Sequence, residues 1–158
     1  MDLLTQFHSM VRISKHISYK EGTYSNTATR KGIDNRPNSH QLRNMILVAE
    51  NVFEPLRAYF GKPIRINSFF RSEELNIAVG GSKTSQHCKG EALDLDALKG
   101  VKNADLFHYI KDNLEFDQLI WEYGTDEEPD WVHVSYNSER NRGVILKAVK
   151  GKGYLRYG

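Results

Sequence analysis

Residues 84–97, TSQHCKGEALDLDA, decide how this chain is to be read. The second half alternates. Ala92, Asp94 and Asp96 project one way from an extended chain, Leu93 and Leu95 the other. A strand of this kind lays its leucines on a core. Asp94 then sits on a face where a carboxylate is costly to bury unless it is paired or bound to a metal. The first half carries His87, delivered to the strand through Gly90. Farther on, residues 130–136, DWVHVSY, alternate in the same way, with Trp131, His133 and Ser135 on one face. If the two strands are neighbours, His133 and Asp94 meet. Two imidazoles and one carboxylate are the protein ligands of many catalytic zinc sites, where a fourth position stays open for water.

Taken singly, His87 and His133 read as ordinary hydrogen-bonded residues, as do His8, His16, His40 and His108. The combination with Asp94 is what points to a metal. Cys88 adjoins His87, and adjacent side chains seldom converge, so it reads as an inert thiol. Asp96 shares the face of Asp94 and reads as a turn-capping or solvated carboxylate. Zinc chemistry also needs a base to take a proton from water. Asp130 lies three residues before His133, so alternation faces it away unless the strand begins, or bulges, after it. The acidic turn GTDEEPD allows such a start, and Glu122, ending the preceding strand, is the reserve candidate.

Around these motifs the chain reads as helices followed by strands. In residues 39–62, Leu42, Met45, Ile46, Ala49, Val52, Phe53 and Leu56 recur at helical spacing. Ser39 is the expected N-cap, Gly61 the stop, and Pro55 the expected kink. KPIRINSFFRS predicts a strand, SEELNIAVGG a short helix capped by Ser72, and NADLFHYIKDN a second amphipathic helix. FDQLIWEY, DWVHVSY and GVILKAV predict three more strands, and the basic tail LKAVKGKGYLRYG a strand pair with a solvated face. This order is α+β, with a mainly antiparallel sheet and helices on one side. The chain reads as one domain over 1–158, its first 38 residues a polar segment wrapping the surface.

The balance of 22 Lys and Arg against 20 Asp and Glu, net +2, shows no cationic stripe for nucleic acid. No apolar run approaches the ~20 residues of a membrane span. One cysteine excludes an internal disulfide framework and fits synthesis in a reducing compartment. The first 16 residues do not read as a secretory signal, so synthesis in the cytoplasm is expected. Nothing in the sequence sets the oligomeric state, and a monomer is the default.

The pattern Ser85-x-His87-x-x-Gly90-x-Ala92-x-Asp94, followed by Asp130-x-x-His133, resembles the zinc D-alanyl-D-alanine carboxypeptidase and L-alanyl-D-glutamate peptidase family, whose fold is shared by Hedgehog signalling domains. SNTATRKGIDNRP, PLRAYFGKPIRINSFFRSEELNIAVGGSKTSQH and FDQLIWEY resemble its small phage-type branch, so the likeness covers about residues 25–136. The resemblance implies one Zn²⁺ held by His87, Asp94 and His133, with Asp130 at a catalytic position that the family fills with Glu or Asp. It implies that Arg71 holds a substrate carboxylate or polarised carbonyl, and that Ser85 and Gln118 lie near the cleft and contact substrate. The implied substrate is a peptidoglycan stem peptide, cut as a D-Ala-D-Ala carboxypeptidase or an L-Ala-D-Glu endopeptidase. An endolysin that reaches the wall after phage-mediated permeabilisation of the membrane fits this reading. A non-catalytic zinc-containing wall-binding or virion module of the same fold is the alternative.

Overall fold

The computed structural model describes residues 2–3 and 11–158, so His8 lies outside the described residues. The chain opens with a small hairpin, β1 (Arg12–Ser14) and β2 (Ile17–Ser18), and two short helices, α1 (Tyr19–Thr23) and α2 (Asn26–Lys31). This region does more than wrap the surface. Ile13 and Ile17 are buried in the main core, and the Asn35 amide donates to the carbonyls of Thr23 and Phe70. His16 and Ser14 both engage the Glu54 carboxylate, which ties the hairpin to the long helical segment.

That segment differs from expectation in two ways. Helix α3 (Ser39–Val48) is capped by Asn38, not Ser39. The Asn38 backbone is extended, its amide oxygen accepts from the Gln41 N–H, and Gln41 returns the bond. The helix then widens into a π-turn over Ala49–Phe53 and resumes as α4 (Glu54–Phe60). The Glu54 N–H reaches back five residues to the Ala49 carbonyl. Pro55 therefore falls in the first turn of α4, where a missing donor is tolerated. Gly61 ends the helix in the left-handed conformation, as expected.

After β3 (Ile64–Ser68) and α5 (Glu73–Ala78), a 3₁₀ turn (Gln86–Lys89) leads into β4 (Ala92–Ala97). Helix α6 (Asn103–Asn113), β5 (Gln118–Glu122), β6 (Trp131–Ser135), β7 (Val144–Val149) and β8 (Gly153–Arg156) complete the chain. The six strands form one sheet in the order β3-β4-β6-β5-β7-β8. Every pairing is antiparallel except β5 with β7. The architecture is the expected α+β, with a mixed, mostly antiparallel sheet.

Alternation gives this sheet two different faces. Leu93, Leu95, Leu119, Trp121, Val132 and Val134 face the helices and are buried. They pack with Met45, Val48 and Val52 of the long helical segment and with Leu106, Phe107 and Ile110 of α6. Each fully buried side chain of this size stabilises the fold by about 1.5–3 kcal/mol. The opposite face carries Asp94, His133 and Ile120 in one row across β4, β6 and β5. Among the described residues, no helix is long and apolar enough to cross a membrane.

Candidate functional site

Asp94 and His133 are direct partners in the β4–β6 register, as the two alternating motifs require. His87 arrives from the 3₁₀ turn, which Ser85 caps by accepting from the His87 N–H. Gly90 ends that turn at φ 76°, and a Cβ there would lie 2.4 Å from the Gln41 carbonyl oxygen. Only glycine lets the turn lie against α3 and still feed β4. The ligand atoms of His87, Asp94 and His133 lie within 4.8 Å of one another. Ligands 2.0–2.2 Å from a tetrahedral zinc stand about 3.3–3.6 Å apart, so a small closure completes the set.

The buried hydrogen-bond pattern tests whether a cation belongs here. The His87 side chain is 2% exposed, and its Nδ1 donates to the Phe69 carbonyl at 2.7 Å. In the neutral ring, Nε2 must then present a lone pair, and it faces Asp94 Oδ2 at 3.3 Å. That nitrogen is buried without a hydrogen-bond partner. Burial pushes the His87 pKa down, against the pull of the Asp94 carboxylate, so the ring resists the proton that would resolve the clash. Burial alone would raise the Asp94 pKa, but the two imidazoles more than offset it and hold the group well below the ordinary carboxylate range. His133 Nδ1 stands 3.0 Å from Asp94 Oδ1. An ionised carboxylate between two imidazoles, one with its lone pair turned inward, fits a divalent cation. The carbonyl that orients His87 is the usual outer partner of a metal-bound imidazole.

The cleft around this centre has a volume of about 1070 Å³. Arg71, Ser85 and Gln118 are among the residues that line it. The Arg71 N–H donates to the His87 carbonyl, and its guanidinium Nε is buried without a hydrogen-bond partner. Gly81 holds the adjacent loop close, since a Cβ there would fall 2.0 Å from Asn76 Oδ1 and 3.1 Å from an Arg71 terminal nitrogen. His16 is drawn into its contact with Glu54, away from the cleft.

The two candidate bases part company. Strand β6 begins at Trp131, after Asp130, yet this start does not bring the Asp130 side chain inward. Its N–H closes the hairpin onto the Glu122 carbonyl, and its carboxylate is exposed and outside the cleft lining. Glu122 lies opposite Trp131, two positions along β5 from the partner of His133, and so shares the metal face. It is 5% exposed and lines the cleft. Burial drives its pKa up; His133 counters and the Asp94 charge adds to the rise, leaving it at about 7. The next residue, Tyr123, has a left-handed backbone at φ 55°, and its ring lies 5.5 Å from that of Trp131.

Two features of the cleft were not legible as site residues. Asp117 receives a two-pronged grip from Arg142 (2.8 and 2.9 Å) and accepts from the Gln86 amide, bracing the turn that holds His87. The Arg142 guanidinium holds the Asp117 carboxyl below its usual range. Leu146 and Tyr154, from the last two strands, also line the cleft. The only sequence signal for them is strand alternation, which gives a face but no neighbour.

The family model described as Peptidase M15 matches residues 15–135, most of the chain. No curated protein matches the sequence.

Proposed function

The chain belongs to the Peptidase M15 family, and from that premise we propose that it is a zinc-dependent peptidase cleaving an amide bond in peptidoglycan stem peptides. The observation that carries the metal assignment is the buried His87 Nε2, its lone pair turned toward Asp94 with no proton to share. His87, Asp94 and His133 would hold the ion. A zinc ion there supplies Lewis acidity to a carbonyl oxygen and to water.

The remaining chemistry falls to side chains. Glu122 takes a proton from water and returns it to the leaving amine, and a carboxylate half-ionised near neutrality serves both directions. Arg71, with an unpartnered guanidinium nitrogen, binds the developing oxyanion or a terminal carboxylate of the peptide. Ser85 caps the turn that carries His87 and, with Gln118, contacts substrate along the cleft. An endolysin-type role follows from the likeness to the small phage-type branch and is read by lysis of permeabilised cells.

The test is metal analysis of untagged protein, followed by mass spectrometry of muropeptides released from purified sacculi. One zinc per chain and new termini at a stem-peptide bond are expected, and those termini identify the bond. Zinc without new termini makes the chain a binding module. A chain that takes up no divalent metal removes the proposal.

A further inference from the structure

The last two strands lie beyond the 15–135 family match, yet they extend the metal face of the sheet. Register places Leu146 beside Ile120, the neighbour of His133, and places Ala148 beside Glu122. Across the next pairing, Tyr154 stands opposite Ala148. Partners in register share a face, so Glu122, Ala148 and Tyr154 form one row and His133, Ile120 and Leu146 the next.

Ala148 is 2% exposed and small, which leaves room for the Tyr154 ring to lean across it toward Glu122. Tyr154 lines the cleft while remaining 60% exposed. Its hydroxyl is close enough to Glu122, Tyr123 and Asp94 for their charges to push its pKa up, secondary to partial burial. Ile120, Leu146 and the Tyr154 ring thus make an apolar shelf on the cleft wall, beside the row that carries His133 and Glu122. Among the described residues, none covers the Tyr154 ring from the solvent side.

We propose that the β7–β8 hairpin builds a substrate subsite, in which Ile120, Leu146 and the Tyr154 ring receive an apolar side chain of the peptide next to the scissile bond. This rests on the peptidase reading and adds to it a role for the β7–β8 hairpin, outside the family match, in holding an apolar rather than a charged group. Tyr154 acts here as a positioning residue through its ring, not its hydroxyl.

Tyr154→Ala and Tyr154→Phe separate these roles, and an exposed edge-strand position lets both fold. Cleavage kinetics on purified muropeptides should show KM raised about tenfold in Tyr154→Ala with kcat within threefold. Tyr154→Phe should stay within twofold of wild type in both. A parallel measurement uses zinc-loaded Glu122→Gln protein, where calorimetric binding of the same muropeptide should weaken about tenfold when Tyr154→Ala is added. Unchanged KM and unchanged binding in Tyr154→Ala overturn the subsite. A Phe variant as impaired as Ala overturns it too, by moving the role to the hydroxyl. If wild type cleaves nothing, the peptidase reading fails, and the calorimetric comparison alone decides the shelf.

Discussion

Asp130 and Glu122 divide on a matter of parity. An odd offset from His133 turns Asp130 outward once β6 runs straight from Trp131, while Glu122 comes inward on the neighbouring strand. Glu122→Gln is expected to lower kcat by about 10²–10⁴ with bound zinc unchanged, and Asp130→Ala to stay within a few-fold of wild type. Side-by-side kinetics and metal analysis of the two variants decide between them. The His87–Asp94–His133 cluster was legible in the sequence because its chemistry and alternation point the same way. The choice between Asp130 and Glu122, both named from the sequence, was not legible, because it depends on how the β5–β6 hairpin pairs across a long turn, and no local pattern encodes that register. Arg71, Ser85 and Gln118 were readable as cleft residues only through resemblance.

The helical segment from Ser39 to Phe60 shows the same limit at the next scale. Periodicity gave its extent and its buried face. The π-turn at Ala49–Phe53 escaped it, because apolar spacing does not record which carbonyl each N–H reaches. Glu54, just after that turn, anchors the β1–β2 hairpin. Burial raises its pKa, but the Ser14 hydroxyl and the His16 ring and N–H outweigh that and hold it below 4.5. The folded state thus releases this proton more readily than the unfolded chain, so the contact stabilises at neutral pH and fades as pH falls from about 4.5 through the depressed folded value. Glu54→Gln should therefore lower Tm at pH 7, and the gap to wild type should narrow below about pH 4. Paired melting curves across that range check it. A constant gap would assign Glu54 a packing role only.

For the whole molecule, the His87–Asp94–His133 cluster joins the 3₁₀ turn and the β4 strand that follows it to β6, which lies far along the chain. An ion that binds the folded chain alone stabilises it by about 4 kcal/mol at a thousandfold excess over Kd. At this size that corresponds to roughly 8–16 °C in Tm. Added zinc should raise the Tm of chelator-treated protein by this order and leave His87→Ala nearly unmoved. An equal rise in both proteins would locate the ion elsewhere. Among the described residues the sheet ends at β8, whose four residues are all exposed and whose outer backbone groups have no strand beside them. Such a border invites a second polypeptide to add itself as a seventh strand. Lys150 and Lys152 stand at the β7–β8 turn and Arg156 at the other end of β8, all exposed, and like charges there would repel a second copy. Replacing the three with threonine should bring on concentration-dependent light scattering at physiological salt, and unchanged scattering would show that these charges do not guard the edge.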